Sequence, residues 1–389
     1  MQLRPWMILS ALALGRIAYG YQFQTVATLA TDLVPRFGLS YAGLGSLIGS
    51  YNLLGMFVAL PLGLLGRRFG DRVVLGTGLA LMVAGACLSA VGDTPAVITA
   101  GRVVAGAGGV AMIVLQSKVI ADWFTGPWFM VGISVSVCAF PIGMGLAALV
   151  LPAVLDGFGV RAALLTDAVP AAMALVLFLA SYREPAHREA VPRRFSLPSR
   201  RECLLLVVAG GVWTVYTAGY SGFLSYLPSS LAGRGYGLAV TALVMTIATW
   251  GSVAGTLAGG GLAARFGGLL VFLTGTVSLS GGMAGSALSG WPVAWALLLG
   301  VVGSIQPGVI MAVGTLSARA ENRAVGMGLF YTMYYLGGTF APGLCGVAAD
   351  YAGRPEGALL AAAGIAALAV PLFLLHRGLV SHASMLVRA

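Results

Sequence analysis

A chain of 389 residues in which 59% are hydrophobic and 9% charged, with a mean hydropathy of +0.94, cannot cover a water-facing surface. A soluble domain carries about a quarter charged residues. The formal charge of +10 would suit nucleic acid only if the basic residues clustered on one solvated face. Here they fall in short gaps between apolar runs, the pattern that sets membrane topology, so nucleic acid is excluded as a partner and membrane lipid is the surrounding medium.

The apolar runs, broken by Gly, Pro and charge, predict an all-α membrane protein of twelve transmembrane helices, each near the ~20 residues a bilayer needs. In chain order they cover Trp6–Leu33, Tyr41–Gly66, Val73–Val91, Ala96–Ala121, Trp128–Leu151, Arg161–Tyr182, Cys203–Leu231, Leu238–Ala264, Leu269–Leu288, Trp291–Ser317, Ala324–Ala349 and Gly357–Leu375. A short polar start with Arg4 precedes the first run and no small-residue cleavage site follows it, so it reads as a retained helix. The one long polar stretch, Tyr182–Glu202, divides the chain into an N-terminal six-helix bundle (1–182), a linker (183–201) and a C-terminal six-helix bundle (202–389).

Charge sets the orientation. With both termini in the cytoplasm, Arg4, Arg67, Arg68, Arg72, Lys118, the Arg183–Arg201 segment, Arg265, Arg319, Arg323, Arg377 and Arg388 all lie inside. Only Arg36, Arg161, Arg234 and Arg354 remain outside, the asymmetry expected of an inner-membrane protein. Lys118 is the only lysine, and with the abundance of Ala, Gly and Val this suggests a GC-rich bacterial source. Four scattered cysteines (Cys87, Cys138, Cys203, Cys345) have neither metal-ligand nor disulfide spacing and read as small buried hydrophobes. His187, His376 and His382 fall in loops or the tail, so no histidine relay is expected inside the membrane, and no metal or cofactor is implied.

The two halves repeat each other at an offset near two hundred residues. Phe37-Gly38-Leu39 matches Tyr236-Gly237-Leu238, and Arg68-Phe69-Gly70 matches Arg265-Phe266-Gly267. Gly20-Tyr21 echoes Gly219-Tyr220, and Asp156-Gly157-Phe158-Gly159 echoes Asp350-Tyr351-Ala352-Gly353. Parallel six-helix repeats form a pseudo-twofold around a central cavity, with substrate near the midplane and the halves rocking about it. Glycines at four-residue spacing (Gly45 and Gly49; Gly251, Gly255 and Gly259) let helix backbones approach closely.

These halves, their linker and their loop signatures resemble the major facilitator superfamily across essentially the whole chain. The stretch Gly63-Leu64-Leu65-Gly66-Arg67-Arg68-Phe69-Gly70-Asp71-Arg72 is similar to that family's cytoplasmic gate motif, with Arg67 where an aspartate is usual and an aspartate at Asp71 instead. By that resemblance Asp122, at the end of the fourth span, is the expected partner of Arg67, Arg68 or Arg72 in an inner latch. Arg102-Val103-Val104-Ala105-Gly106-Ala107-Gly108-Gly109 resembles a motif associated there with proton-coupled members. Pro141, Gly143 and Gly145 match part of an antiporter motif, with Phe140 where the family has glycine before the proline.

Arg16 lies about ten residues into the first span, roughly 15 Å deep at 1.5 Å per residue. A central arginine costs about 2.5–3.5 kcal/mol to insert and must face a wet cavity or a partner. Arg102 is the second deep arginine, and Asp167, whose expected partner is Arg161 or a neighbour, is the one carboxylate away from a helix end. Tyr19 and Phe23 share a face with Arg16. Trp213, Tyr216 and Tyr220 share one on the seventh span, and Tyr331, Tyr334 and Tyr335 one on the eleventh. Gln306, beside Pro307 and Gly308, sits at a loosened turn of the tenth. The repeat equivalents of Arg16 and Arg102, near Tyr216 and Gly300, are uncharged, so positive charge gathers in the N-terminal half.

The expectation is a monomeric secondary transporter for a small anion such as an organic carboxylate, bound by Arg16, Tyr19, Phe23, Tyr216, Tyr220, Gln306, Tyr331, Tyr334 and Tyr335. Gating or coupling falls to Arg102, Asp167, Arg67, Arg68, Asp71, Arg72 and Asp122, with protons or a counter-anion as coupling species. The alternative is a proton-coupled exporter of drugs or metabolites. No paired carboxylates, HExxH or nucleophile elbow points to an enzyme.

Overall fold

The computed structural model describes residues 3–58, 61, 68–184, 198–319 and 323–386, all helix and connecting turns with no strand among them. The first span is two helices, Leu3–Thr28 and Ala30–Phe37, and the second begins with Tyr41–Gly49 and a 3-10 turn over Ser50–Asn52. Asp71–Ala90 and Pro95–Trp123 form the third and fourth. The fifth runs into the start of the sixth as Pro127–Leu165, with only Gly159 (φ 79°, ψ 175°) leaving helical geometry, and Ala168–Ser181 completes the sixth. Beyond the linker come Arg200–Gly233, Leu238–Phe266 and Gly268–Leu288. The tenth is Pro292–Leu297, a π-helical turn Leu298–Val302 and Pro307–Leu316. Arg323–Ala352, then Glu356–Ala367 with Ala369–Leu386, close the fold.

Among the described residues eight helices are long and apolar enough to cross a membrane by length and composition. The helices of the first and eleventh spans are not among the eight; they carry Arg16, Gln22 and Gln24, and three tyrosines, respectively. The twelfth span passes its expected end at Leu375, because the chain stays helical after hydropathy falls at His376 and Arg377. His376 is consequently not in a loop: it is buried in that helix, with its Nε2 2.9 Å from Ser317 Oγ.

The internal repeat extends to backbone geometry. Gly70 (φ 92°, ψ 148°) and Gly267 (φ 86°, ψ 143°) start the third and ninth spans in almost the same positive-φ conformation, which residues with a Cβ rarely adopt. The glycine stripes serve close packing: a methyl at Gly255 or Gly259 would strike the carbonyl of Val301 or Ile305, and one at Gly45 or Gly49 that of Pro342 or Thr339. The first pair lies inside the second bundle. The other pair joins the second span to the eleventh, across the two bundles. All four cysteines are free thiols, but only Cys345 is buried; Cys138 and Cys203 are partly exposed and Cys87 is exposed, since an apolar surface that meets lipid leaves a thiol needing no cover.

Arg4 bonds to Ser181, Arg72 to Glu184, Arg319 to Glu202 and Ser317 to His376 at one end of the helices, here the linker face; the opposite end is the far face. Several hydrogen bonds cross between the bundles. Asp350 accepts from Tyr41 N at 2.8 Å and Ala42 N at 2.9 Å, and the Tyr226 hydroxyl reaches Tyr41 O across the interface at 2.6 Å, besides Pro342 O of its own bundle at 2.9 Å. Gln24 Nε2 donates to Leu224 O, Asn52 Nδ2 to Gly338 O and Trp250 Nε1 to Ile142 O, each at 3.3 Å. All lie between the midplane and the far face. These bonds hold the two bundles together at the far end.

Candidate functional site at the bundle interface

Arg16 sits at mid-depth in the first span with its guanidinium 5.8 Å from the Tyr19 ring centroid and 5.6 Å from that of Phe140. It interacts electrostatically with Tyr331, Tyr334 and Tyr335 of the eleventh span. Its Nε is buried without a hydrogen-bond partner, and the guanidinium makes no hydrogen bond to any described residue. Tyr335 Oη and Trp213 Nε1 are likewise buried and unpartnered.

Aromatic contacts gather these groups into two clusters, one on each bundle. Tyr19 lies 5.2 Å from Tyr51 and 5.3 Å from Phe140, and Phe23 lies 5.8 Å from Phe140. Across the interface Trp213 stacks on Tyr216 (5.5 Å) and Tyr334 (6.1 Å), and Tyr334 meets Tyr331 and Tyr335 edge-on. Tyr220 extends the second cluster through Tyr216, its hydroxyl donating to Ala248 O at 3.2 Å. Of the residues singled out for solute contact, Gln306 is placed elsewhere. It is fully buried, accepts from Thr276 Oγ1 at 2.6 Å and donates to Gly303 O at 3.2 Å, so it ties the tenth span to the ninth.

Arg102 is built the opposite way. Its Nε donates to Leu47 O (2.8 Å), Nη2 to Ile48 O (3.0 Å) and Nη1 to Gln22 O (3.1 Å), with Tyr51 beneath it at 5.1 Å. The Tyr51 hydroxyl donates to Gln22 Oε1 at 2.9 Å, and Gln22 Nε2 reaches Met82 O and Asp167 O. Asp167 is buried, accepts from Thr25 Oγ1 at 2.5 Å and feels the charge of Arg102. Of the two expectations, Arg161 or a neighbour, the neighbour holds: Thr25 and Arg102 partner Asp167, while Arg161 lies at the far face beside Arg36 and Asp93.

At the linker face Lys118 pairs with buried Asp71 and lies 3.8 Å from Asp122. Arg72 donates from Nη2 to Leu179 O at 2.9 Å, and its backbone N–H donates to Glu184 Oε1 at 3.2 Å, tying the start of the third span to the end of the sixth. Arg68 lies over the Phe69 ring. Arg67 falls outside the described residues, as do Gly63–Gly66 and 185–197 of the linker. Sequence reasoning did not assign Lys118, Phe140, Gln22, Thr25 or Asn52. Lys118 was marked by being the only lysine, and Phe140 by standing where the resembled motif has glycine. The other three carried no signal beyond polarity inside an apolar run.

Two six-helix bundles, closed at one end and meeting at an arginine-bearing aromatic vestibule, define the class of membrane transporters that work by alternating access. The sequence profile of the Major Facilitator Superfamily matches residues 12–342. The chain belongs to that superfamily; it is a transporter and not an enzyme.

The inner membrane transport protein YajR of Escherichia coli (strain K12) is 30% identical over 129 residues, which span 31% of this chain and 28% of that protein. The nucleoside transporter NupG superposes with a TM-score of 0.76 at 12% identity, covering 97% of this chain and 100% of that one. The inward-open xylose transporter XylE from E. coli gives 0.76 at 16% identity, over 95% of this chain and 96% of that one. A bacterial homologue of the human lysosomal transporter Spinster, inward-facing and occupied, gives 0.73 at 16% identity, over 99% of this chain and 98% of that one. At these identities the likeness establishes the fold.

Proposed function

We propose that this secondary transporter carries a small organic anion, with Arg16 supplying the countercharge. The observation that supports the reading is the chemistry of the unpartnered groups at the vestibule. Arg16 Nε and Trp213 Nε1 are donors only, and the Tyr335 hydroxyl can also donate. A guanidinium fork matches a carboxylate geometrically, and a donor left unpaired in apolar surroundings costs about 1–3 kcal/mol until a ligand or water satisfies it. Tyr19, Phe23, Tyr331 and Tyr334 wall the solute, with Tyr216 and Tyr220 further along.

The linker face is cytoplasmic in this reading, in a bacterial inner membrane, with boundaries at 1–182, 183–201 and 202–389. The structure then corresponds to the inward-facing state. Arg68, Arg72, Asp71 and Asp122 belong to the inner latch together with Lys118, and a proton or counter-anion is the coupling species for a monomeric carrier.

Purified protein in liposomes should accumulate one or more labelled small carboxylates. Arg16→Ala should reduce that uptake at least about 100-fold, the loss of roughly 3 kcal/mol for an unpaired buried charge, with Arg16→Lys intermediate. Full uptake by Arg16→Ala ends the proposal.

A second reading, proton-driven export of a drug or metabolite, is favoured by the burial of Asp167 beside Thr25 and Arg102. It expects resistance in a drug-sensitive host that Asp167→Asn removes.

A further inference from the structure

Asn52 is buried where the first, second and eleventh spans meet. Its Oδ1 accepts from the Tyr19 hydroxyl at 3.0 Å, and its Nδ2 donates to Gly338 O at 3.3 Å. Both bonds constrain the amide. Turned over, it would set Oδ1 against the Gly338 carbonyl, two acceptors with no hydrogen between them. Tyr19 is held as tightly from its other side, since a methyl on Gly109 of the fourth span would collide with the Tyr19 ring. The Arg16 guanidinium packs over that same ring. A buried polar chain therefore runs from the vestibule arginine through Tyr19 and Asn52 to a backbone carbonyl of the opposite bundle, at the inner edge of the far-side closure. Gly338 leaves no slack, because a Cβ there would lie 2.8 Å from Asn52 Nδ2.

We propose that Asn52 is the positioning residue that couples the vestibule to the closure of the far face: its bond to Gly338 favours the closed far face, and its bond to Tyr19 makes that preference respond to what occupies the vestibule. The second half rests on the vestibule being the solute site; the first does not. A solute that draws the Tyr19 hydroxyl away leaves Asn52 Oδ1 unpaired and weakens the bridge, so occupancy and opening become one event. Two bonds to one amide suffice for this, with no charge moved.

The test uses the full chain in a cysteine-free background with spin labels at the exposed far-face positions Phe158 and Tyr351, one in each bundle. Distances are read by double electron–electron resonance without solute, then with malonate or benzoate as probe carboxylates. Asn52→Leu and Gly338→Ala should each shift the population from closed toward open far face by about 5-fold without solute, the equilibrium weight of one net hydrogen bond. Tyr19→Phe, which leaves Asn52 Oδ1 unpaired, should likewise shift the solute-free distribution toward the open far face and blunt its further response to the probes. If Asn52→Leu does not fold, Gly338→Ala carries the measurement with Asn52 intact. Parent-like solute-free distances in the variants that fold overturn the proposal, even if their melting temperatures fall. A parent chain that ignores both carboxylates counts against the anion reading while the solute-free comparison still decides Asn52.

Discussion

Two arginines inside the membrane-spanning helices of the same bundle have opposite surroundings. Arg102 gives three hydrogen bonds to carbonyls of the first and second spans and lies near a buried carboxylate. Arg16 gives none and has ring faces on two sides. Depth alone would have assigned them the same role, since a charged side chain in hydrocarbon costs about the same wherever it is drawn from. Their partners separate them. A buried charge whose donors are all engaged holds helices together, whereas one left open is available to something that arrives from solution. The first bundle therefore contains a bonded polar core around Arg102 and, among the rings of Tyr19 and Phe140, an arginine that makes no hydrogen bond to a described residue.

That contrast can be broken experimentally. Arg102→Met should destabilise the protein by about 3–5 kcal/mol, because it removes three bonds and leaves Asp167 without its counter-charge; thermal unfolding in detergent measures it. A parent-like melting curve would show that the Arg102 bonds hold nothing. Thr25→Val deletes the 2.5 Å donor to Asp167 and should cost about 2 kcal/mol, the range for a hydrogen bond to a charged group. Arg16→Met should do the reverse, raising stability by about 1 kcal/mol as an unsatisfied polar group leaves an apolar wall, while transport is lost. An Arg16→Met protein that unfolds more easily would place that arginine with Arg102 as a structural residue. The smallest effect is expected at Tyr335→Phe, within about 0.5 kcal/mol because its hydroxyl bonds nothing, against about 1 kcal/mol for Tyr51→Phe, which loses a bond to Gln22.

What could be read from the amino-acid sequence was what depends on depth and order along the chain. The twelve spans, the two related halves and the unusual standing of Arg16 all follow from counting residues through hydrocarbon. Direction was not readable. Lipid and bundle interior are both apolar, so the hydropathy of a helix does not say which stripe faces a neighbour. Gln306 illustrates the loss: its depth is right for the vestibule, yet it turns to Thr276. Asn52 illustrates the converse, a polar residue in an apolar stretch whose meaning appears only when the eleventh span is brought against it. The charge pairing at the linker face was half-legible. The basic loop was evident, but the cation beside Asp71 and Asp122 comes from the fourth span, and only its rarity as a lysine drew notice.

That rarity has a practical consequence. With one lysine in the chain, an amine-reactive ester encounters a single side-chain nucleophile, held against a nearly inaccessible carboxylate at the linker face. Acylation there removes the cation and strands Asp71 in the interior, so the label should both report and perturb. Its attachment rate reads how often that pairing lets go, which makes Lys118 a built-in chemical clock for motion at that end of the carrier, requiring no engineered handle.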